Sequence, residues 1–372
     1  RSSACESDSW QQPVPSRPRF RPNRRSLLQG TGALFAGLTF LPRFSMAAEE
    51  KKLNFYNWDT YIGENTLAEF TEATGIEVKM DLYADNDELF AKLKGGNPGY
   101  DVIVPTNDYL ERMIKADMVI PLDHAKIPNM ANIDPLFQDA TFDPGRKYSI
   151  PYMWGTVGIG FRKSAVSAAP DSWKVLFDSD EYKGRIAVLS EAGDMFRLYG
   201  KYLGKSVNEL TAADIKTIEA MMIRQKPHIK AFHEDNGQDL LLKGEVDLVL
   251  EYNGDIAQIQ AEDEDIGFVL PKEGSQLNSD TLCIPKDAPH PKNAHAFINY
   301  FLRPEVSAAL SNELSYATAN KASLAKVKPE IAQDKAVFPD AANLEKMVSP
   351  ASFSNEARAS MANVFTAFKK GQ

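Results

Sequence analysis

Cysteine is nearly absent: Cys5 and Cys283 are the two in 372 residues. A disulfide framework is therefore excluded. Histidine is scarce as well, with five (His124, His228, His233, His290, His295), and none falls in a His-Glu-x-x-His pattern. His290 and His295 flank a Pro-rich turn with no Cys nearby, so zinc is unsupported. There is no Gly-x-Ser-x-Gly elbow and no phosphate loop. Gly155, Gly158 and Gly160 run as GxxGxG rather than as a dinucleotide fingerprint, and read as a tight passage between strands. After residue 47 no apolar run approaches the ~18 residues of a membrane span.

Positive charge is also in short supply. The formal net charge is −9. Residues 1–47 hold seven Arg against Glu6 and Asp8, a balance of +5, so the remaining 325 residues carry −14. Phosphate contacts need a basic surface, which excludes nucleic acid as the natural partner. An acidic body suits a protein that meets cations. With 43% hydrophobic, 25% charged and 10% aromatic residues, the chain is an ordinary globular protein, not a disordered, collagenous or coiled-coil one. Its length allows two domains or one large one.

The basic segment reads as an export signal. Arg24-Arg25 precedes a mildly apolar stretch, Leu27 to Leu41, interrupted by Gly30, Gly32 and Gly37. Arg43 and then Ser45-Met46-Ala47 follow, with small residues where a signal peptidase needs them. The order predicts a cleaved, twin-arginine-like signal over 1–47 and a periplasmic destination.

Beyond it, strands and helices alternate. Leu53–Trp58 predicts a strand. Thr66 and Glu69 predict a capping box for a helix stopped at Gly75. Ile76, Val78, Met80 and Leu82 alternate with polar residues as in a half-buried strand. Asp85 predicts a cap for the next helix, and Val102-Ile103-Val104 a strand buried on both faces. The grammar recurs from Arg185 to Leu270, and the chain turns mostly helical from Asn293. Cys283 sits in an apolar run as a small core residue. Two α/β units with a helical tail predict two lobes and a cleft.

Several segments carry a more specific message. They are Tyr56-Asn57-Trp58-Asp59-Thr60-Tyr61-Ile62, Tyr100-Asp101-Val102-Ile103-Val104-Pro105, Ser149-Ile150-Pro151-Tyr152-Met153-Trp154-Gly155, Phe301-Leu302-Arg303-Pro304-Glu305-Val306 and Tyr316-Ala317-Thr318-Ala319-Asn320. In these, and in order across 52–372, the chain resembles the periplasmic spermidine/putrescine-binding proteins of bacterial ABC importers. The resemblance implies a two-lobed α/β periplasmic-binding-protein fold, each lobe a parallel-rich sheet flanked by helices, with the ligand in the interlobe cleft. It implies a first lobe of 48–154 and 282–372, a second of 155–281, and crossings near 150–155 and 280–285. It also implies a non-enzymatic monomer without cofactor that captures a polyamine and delivers it to the membrane permease.

Such a ligand presents ammonium groups separated by methylenes. Each desolvated ammonium needs a carboxylate, and the methylenes need aromatic walls, with cation–π attraction adding ~0.5–2 kcal/mol. Carried over position by position, the resemblance implies ligand contacts from Trp58 and Tyr61 in a first-lobe loop and from the Thr106 hydroxyl. It implies carboxylates at Asp194, Asp255 and Asp280, and an aromatic contact from Tyr316. Tyr252 stands where Trp is usual, and Asn278 where an aromatic normally stacks. Asp59 replaces Ser or Thr and joins the candidate site. Asp108, Glu191 and Asp235 are further acids of lower priority.

Plainer roles compete at each position: a helix N-cap for Asp255, a solvated helix-start charge for Asp194, a turn acid for Asp280. The extra acids and the loss of an aromatic at Asn278 lean toward spermidine or a substituted amine over putrescine. Another small organic cation is the alternative ligand. Paired carboxylates leave a secreted carbohydrate hydrolase open by composition, though no spacing singles out an acid and a nucleophile.

Overall fold

The computed structural model describes residues 49–234 and 236–370. The predicted signal segment, Cys5 and Asp235 lie outside them. Among the described residues ten strands form one curled sheet: β1 Lys52–Trp58, β2 Glu77–Tyr83, β3 Val102–Ile103, β4 Ser149–Arg162, β5 Ile186–Leu189, β6 Ile229–His233, β7 Leu248–Tyr252, β8 Ile266–Val269, β9 Leu277–Cys283 and β10 Ala317–Thr318. The order is β2-β1-β3-β9-β4-β7-β5-β6, with β8 and β10 also pairing β4. The outer strands are parallel, β2 and β3 against β1 and β6 and β7 against β5. The central pairings that involve β4 or β9 are antiparallel. The parallel pattern expected from strand–helix alternation thus holds on the flanks and gives way in the middle.

β4 joins the two halves. Its first part, Ser149–Thr156, pairs with β9, and its second part, Val157–Arg162, runs between β7 and β8. One core gathers Phe55, Phe70, Phe297 and Phe301 behind β1. A second gathers Trp173, Phe177, Phe196, Tyr199 and Met222 behind β5 and β7. Two separate cores bridged by antiparallel strands make a two-lobed fold.

Three local expectations change. The Thr66/Glu69 capping box does not form: Asn65 is the N-cap without a side-chain bond, and Thr66 is already helical. Gly75 does end that helix, in the left-handed conformation with φ 70°. Leu82 is 46% exposed, because β2 is the edge strand and packs fully on neither face. The third change concerns the last helix, Asn355–Lys369, expected with the first lobe as part of 282–372. Its Met361, Phe365 and Phe368 pack into the second core.

The segment before that helix touches residues of both halves of the sheet. Val348 exchanges backbone hydrogen bonds with Ser275 and Leu277. Ser349 O accepts from Asn208 Nδ2 at 3.0 Å, and Ser352 N donates to Glu111 Oε2 at 2.8 Å. Among the described residues, no helix is long and apolar enough to cross a membrane.

Candidate ligand cavity

A cavity of about 220 Å³ lies where β1, β4, β7 and β9 converge. Eight of the nine residues singled out from sequence line it: Trp58, Asp59, Tyr61, Thr106, Tyr252, Asp255, Asp280 and Tyr316. The ninth, Asp194, stands one residue back, accepting a hydrogen bond from the Tyr252 hydroxyl at 2.8 Å.

Trp58 ends β1 where the strand turns into a polar loop. Its indole Nε1 donates to Val104 O at 2.9 Å, and its ring leans on Tyr83 with centroids 4.7 Å apart. The ring is thereby fixed while part of it lines the cavity. Tyr61 stands edge-on to Tyr152 and Tyr316, with centroids 5.3 and 5.1 Å away. The Tyr316 ring packs against two glycines. A Cβ at Gly254 would lie 2.2 Å from Tyr316 Cε2, and one at Gly155 would lie 3.3 Å from Tyr316 Cε1. Those residues must stay without side chains for the ring to reach the cavity. Gly158 on β4 meets Phe268 in the same way, at 2.3 Å, so the GxxGxG run is a close strand passage.

A repeated device governs the acids. Tyr61 Oη donates to Asp280 Oδ2 at 2.8 Å, Tyr316 Oη to Asp255 Oδ2 at 2.7 Å, and Tyr252 Oη to Asp194 Oδ2 at 2.8 Å. Each phenol engages one carboxylate oxygen and fixes its plane. At Asp280 the other oxygen, Oδ1, is buried without a partner, as is Asn278 Oδ1 beside it. Burial pushes Asp280 up to about 7 against the Tyr61 hydrogen bond, with the charges of Asp108 and Asp194 adding to the rise. Asp255 is pushed up to about 6 by burial, partly offset by Tyr316. Both acids want a positive partner.

Two of the plainer roles do not hold. Asp255 lies within the helix Asn253–Gln260 and is not its N-cap, which is Tyr252. Asp194 is no solvated charge: it is 5% exposed and lies 3.7 Å from the Arg197 guanidinium. Arg197 also holds Asp108, at 2.9 Å. Asp108 therefore spends its charge on a buried ion pair. Asp59 is exposed at the rim, its Oδ1 accepting from Thr60 N. Glu191 does line the cavity, its carboxyl held well above the usual range by burial and by Asp194 and Asp108. The Thr106 hydroxyl donates to Asp108 Oδ1 at 3.1 Å, and residue 106 bridges to Asp280.

Sequence reasoning missed the rim acids Asp85, Asp87 and Glu234, and it missed a whole wall. Ala362, Phe365, Thr366 and Lys369 of the last helix line the cavity. The available signal was Met361, Phe365 and Phe368, whose spacing marks an apolar helical face. Chemically, the arrangement offers carboxylates held by phenols, aromatic walls between them, and buried acceptors awaiting donors. Such an arrangement can pair with ammonium groups on a short apolar chain.

A family model for bacterial extracellular solute-binding proteins matches residues 65–339. The putrescine-binding periplasmic protein SpuD of Pseudomonas aeruginosa is 31% identical over 346 residues, covering 88% of this chain and 94% of its own. The spermidine/putrescine-binding periplasmic protein of Escherichia coli is 34% identical over 320 residues, 86% of this chain and 90% of its own. The crystal structure of the spermidine/putrescine ABC transporter substrate-binding protein PotD of Streptococcus pneumoniae superposes with a TM-score of 0.75. It is 32% identical, with 86% of this chain and 98% of that one covered.

Proposed function

The chain belongs to the bacterial extracellular solute-binding protein family, and from that premise we propose that its cavity captures a polyamine for delivery to the membrane permease of an ABC importer. The carrying observation is the set of phenol-held carboxylates, Asp280 and Asp255 above all, in a cavity walled by Trp58, Tyr61, Tyr252 and Tyr316. Asp194 supports the wall from behind through Tyr252. Thr106 and Asp59 contribute a hydroxyl and a rim carboxylate. The ligand leaves chemically unchanged, and the protein works as a monomer.

Mechanistically, an ammonium entering beside Asp280 supplies the donor that Oδ1 and Asn278 Oδ1 await. It also relieves the cost of ionising a buried acid. Aromatic rings then cover the methylenes and bring the two lobes onto the ligand. We assign the first lobe to 48–154 and 282–352, and the second to 155–281 with the C-terminal helix. Export by the twin-arginine route rests on Arg24-Arg25, and replacing both by Lys should trap the precursor in the cytoplasm. Unchanged export would refute that route alone.

Thermal unfolding tests the binding reading. Putrescine, cadaverine or spermidine at a hundred times its Kd should stabilise the fold by about 2.7 kcal/mol. Butylamine, with one ammonium, and 1,4-butanediol, with none, should stabilise it far less. Equal shifts with butanediol would contradict recognition by charge.

A further inference from the structure

The cavity contains a cation that belongs to the chain. Lys369 is the last residue of the helix Asn355–Lys369 and lines the cavity. Two buried rings in the second core fix its position. Phe365 and Phe368 are each 3% exposed and pack edge-on against Phe232 with centroids 5.9 and 5.1 Å away. The helix end is thus anchored one and four residues before the lysine. Its Nζ donates to Ser190 Oγ at 2.9 Å and to Ser190 O at 3.4 Å. It also lies 5.3 Å from the centroid of the Phe365 ring.

A hydroxyl, a carbonyl and an aromatic face are the partners that the end of an alkylammonium ligand would itself seek. Lys369 takes all three. Because these partners are neutral, its charge is not cancelled by them and acts on whatever else enters. The balance of the cavity changes accordingly. Asp108, counted from sequence as an extra acid, is engaged by Arg197, and Lys369 adds a positive charge that no sequence reading foresaw. Asp255 and Asp280 remain as the two carboxylates that both line the cavity and accept from a phenol.

We propose that Lys369 is a specificity-determining residue: it occupies the place of a third ammonium and sets the cavity for a diamine over a triamine. This rests on the polyamine reading above and reverses the lean toward spermidine drawn from sequence. A triamine must bring its extra ammonium toward the lysine or leave that arm outside. Two unit charges roughly 6 Å apart in a partly hydrated cleft repel enough to change binding about tenfold.

Calorimetric titration of the chain with putrescine and with spermidine tests this, alongside Lys369→Gln, Lys369→Met and Lys369→Arg. The expected result is a gain of about tenfold in spermidine affinity, relative to putrescine, in both the Gln and Met variants. The Arg variant should keep the wild-type ratio, since it keeps the charge. An unchanged ratio in Gln and Met, or an Arg variant that behaves like them, overturns the proposal while leaving polyamine binding intact. Wild-type protein that binds neither amine overturns the polyamine reading, and this inference with it.

Discussion

Replacing Asp280 by Asn changes one atom in the centre of the cavity and removes its charge. The amide oxygen can still accept from the Tyr61 hydroxyl, which donates to Asp280 Oδ2 at 2.8 Å, so the ring and the empty fold should survive. In the wild type, burial lifts this carboxyl from 3.8 to about 7. At about 1.4 kcal/mol per tenfold change in acidity, keeping it ionised in the empty cavity costs about 4 kcal/mol. An incoming ammonium recovers much of that, and removing one partner of a buried charge pair costs ~2–5 kcal/mol of binding. At pH 8, titration calorimetry with putrescine should therefore show at least a thirtyfold weaker Kd for Asp280→Asn. At pH 6 the wild-type acid must first lose a proton, so the gap should narrow about tenfold. Without ligand, the variant should melt no lower than the parent. A Kd within threefold of wild type at pH 8, or a gap that widens at pH 6, would refute the reasoning.

The same acids predict proton release. Because Asp255 and Asp280 are raised to about 6 and about 7, putrescine affinity should rise from pH 5.5 to 8, and titrations at pH 6.5 should give heats that vary with buffer ionisation enthalpy. For the empty protein the sign is opposite: the native state holds protons that the unfolded chain has lost, so these two groups make stability fall as pH rises from about 4 toward 7, visible in urea midpoints. Arg197→Met strands Asp108 and Asp194, which the guanidinium holds at 2.9 and 3.7 Å. It should cost ~3–5 kcal/mol of stability by denaturant unfolding, and an added Asp108→Asn should restore part of the loss. Trp58→Ala removes a half-buried wall and should weaken putrescine about tenfold while reducing discrimination between putrescine and cadaverine. An unchanged preference in competition binding would mean that Trp58 does not face the chain.

Much of the fold was legible because its elements carry their own signals. Gly75 stops a helix with a left-handed φ, Asp85 accepts from Glu88 N as a cap, and Val102–Ile103 is buried on both faces. The candidate site residues came from the resemblance, carried over position by position; Trp58 and Tyr252 end strands and Asp255 lies in the first turn of the helix that follows, where an α/β fold presents side chains to a cleft. What stayed hidden depends on contacts far apart in sequence. Nothing local marks Asp108 as the partner of Arg197, 89 residues later. Nor does anything local place Lys369 beside Ser190, 179 residues earlier. The apolar face of the last helix could be read, but which core it joins depends on the passage at 346–353.

The most direct test of the account is titration calorimetry of the unmodified chain, at pH 8 and moderate ionic strength, with putrescine, cadaverine, spermidine and agmatine. The phenol-held carboxylates predict saturable one-to-one binding well below millimolar Kd for at least one of these amines. That binding should weaken on acidification through the range where Asp280 and Asp255 take up protons. Absence of binding above millimolar affinity for all four would contradict the claim that this cavity is a polyamine site.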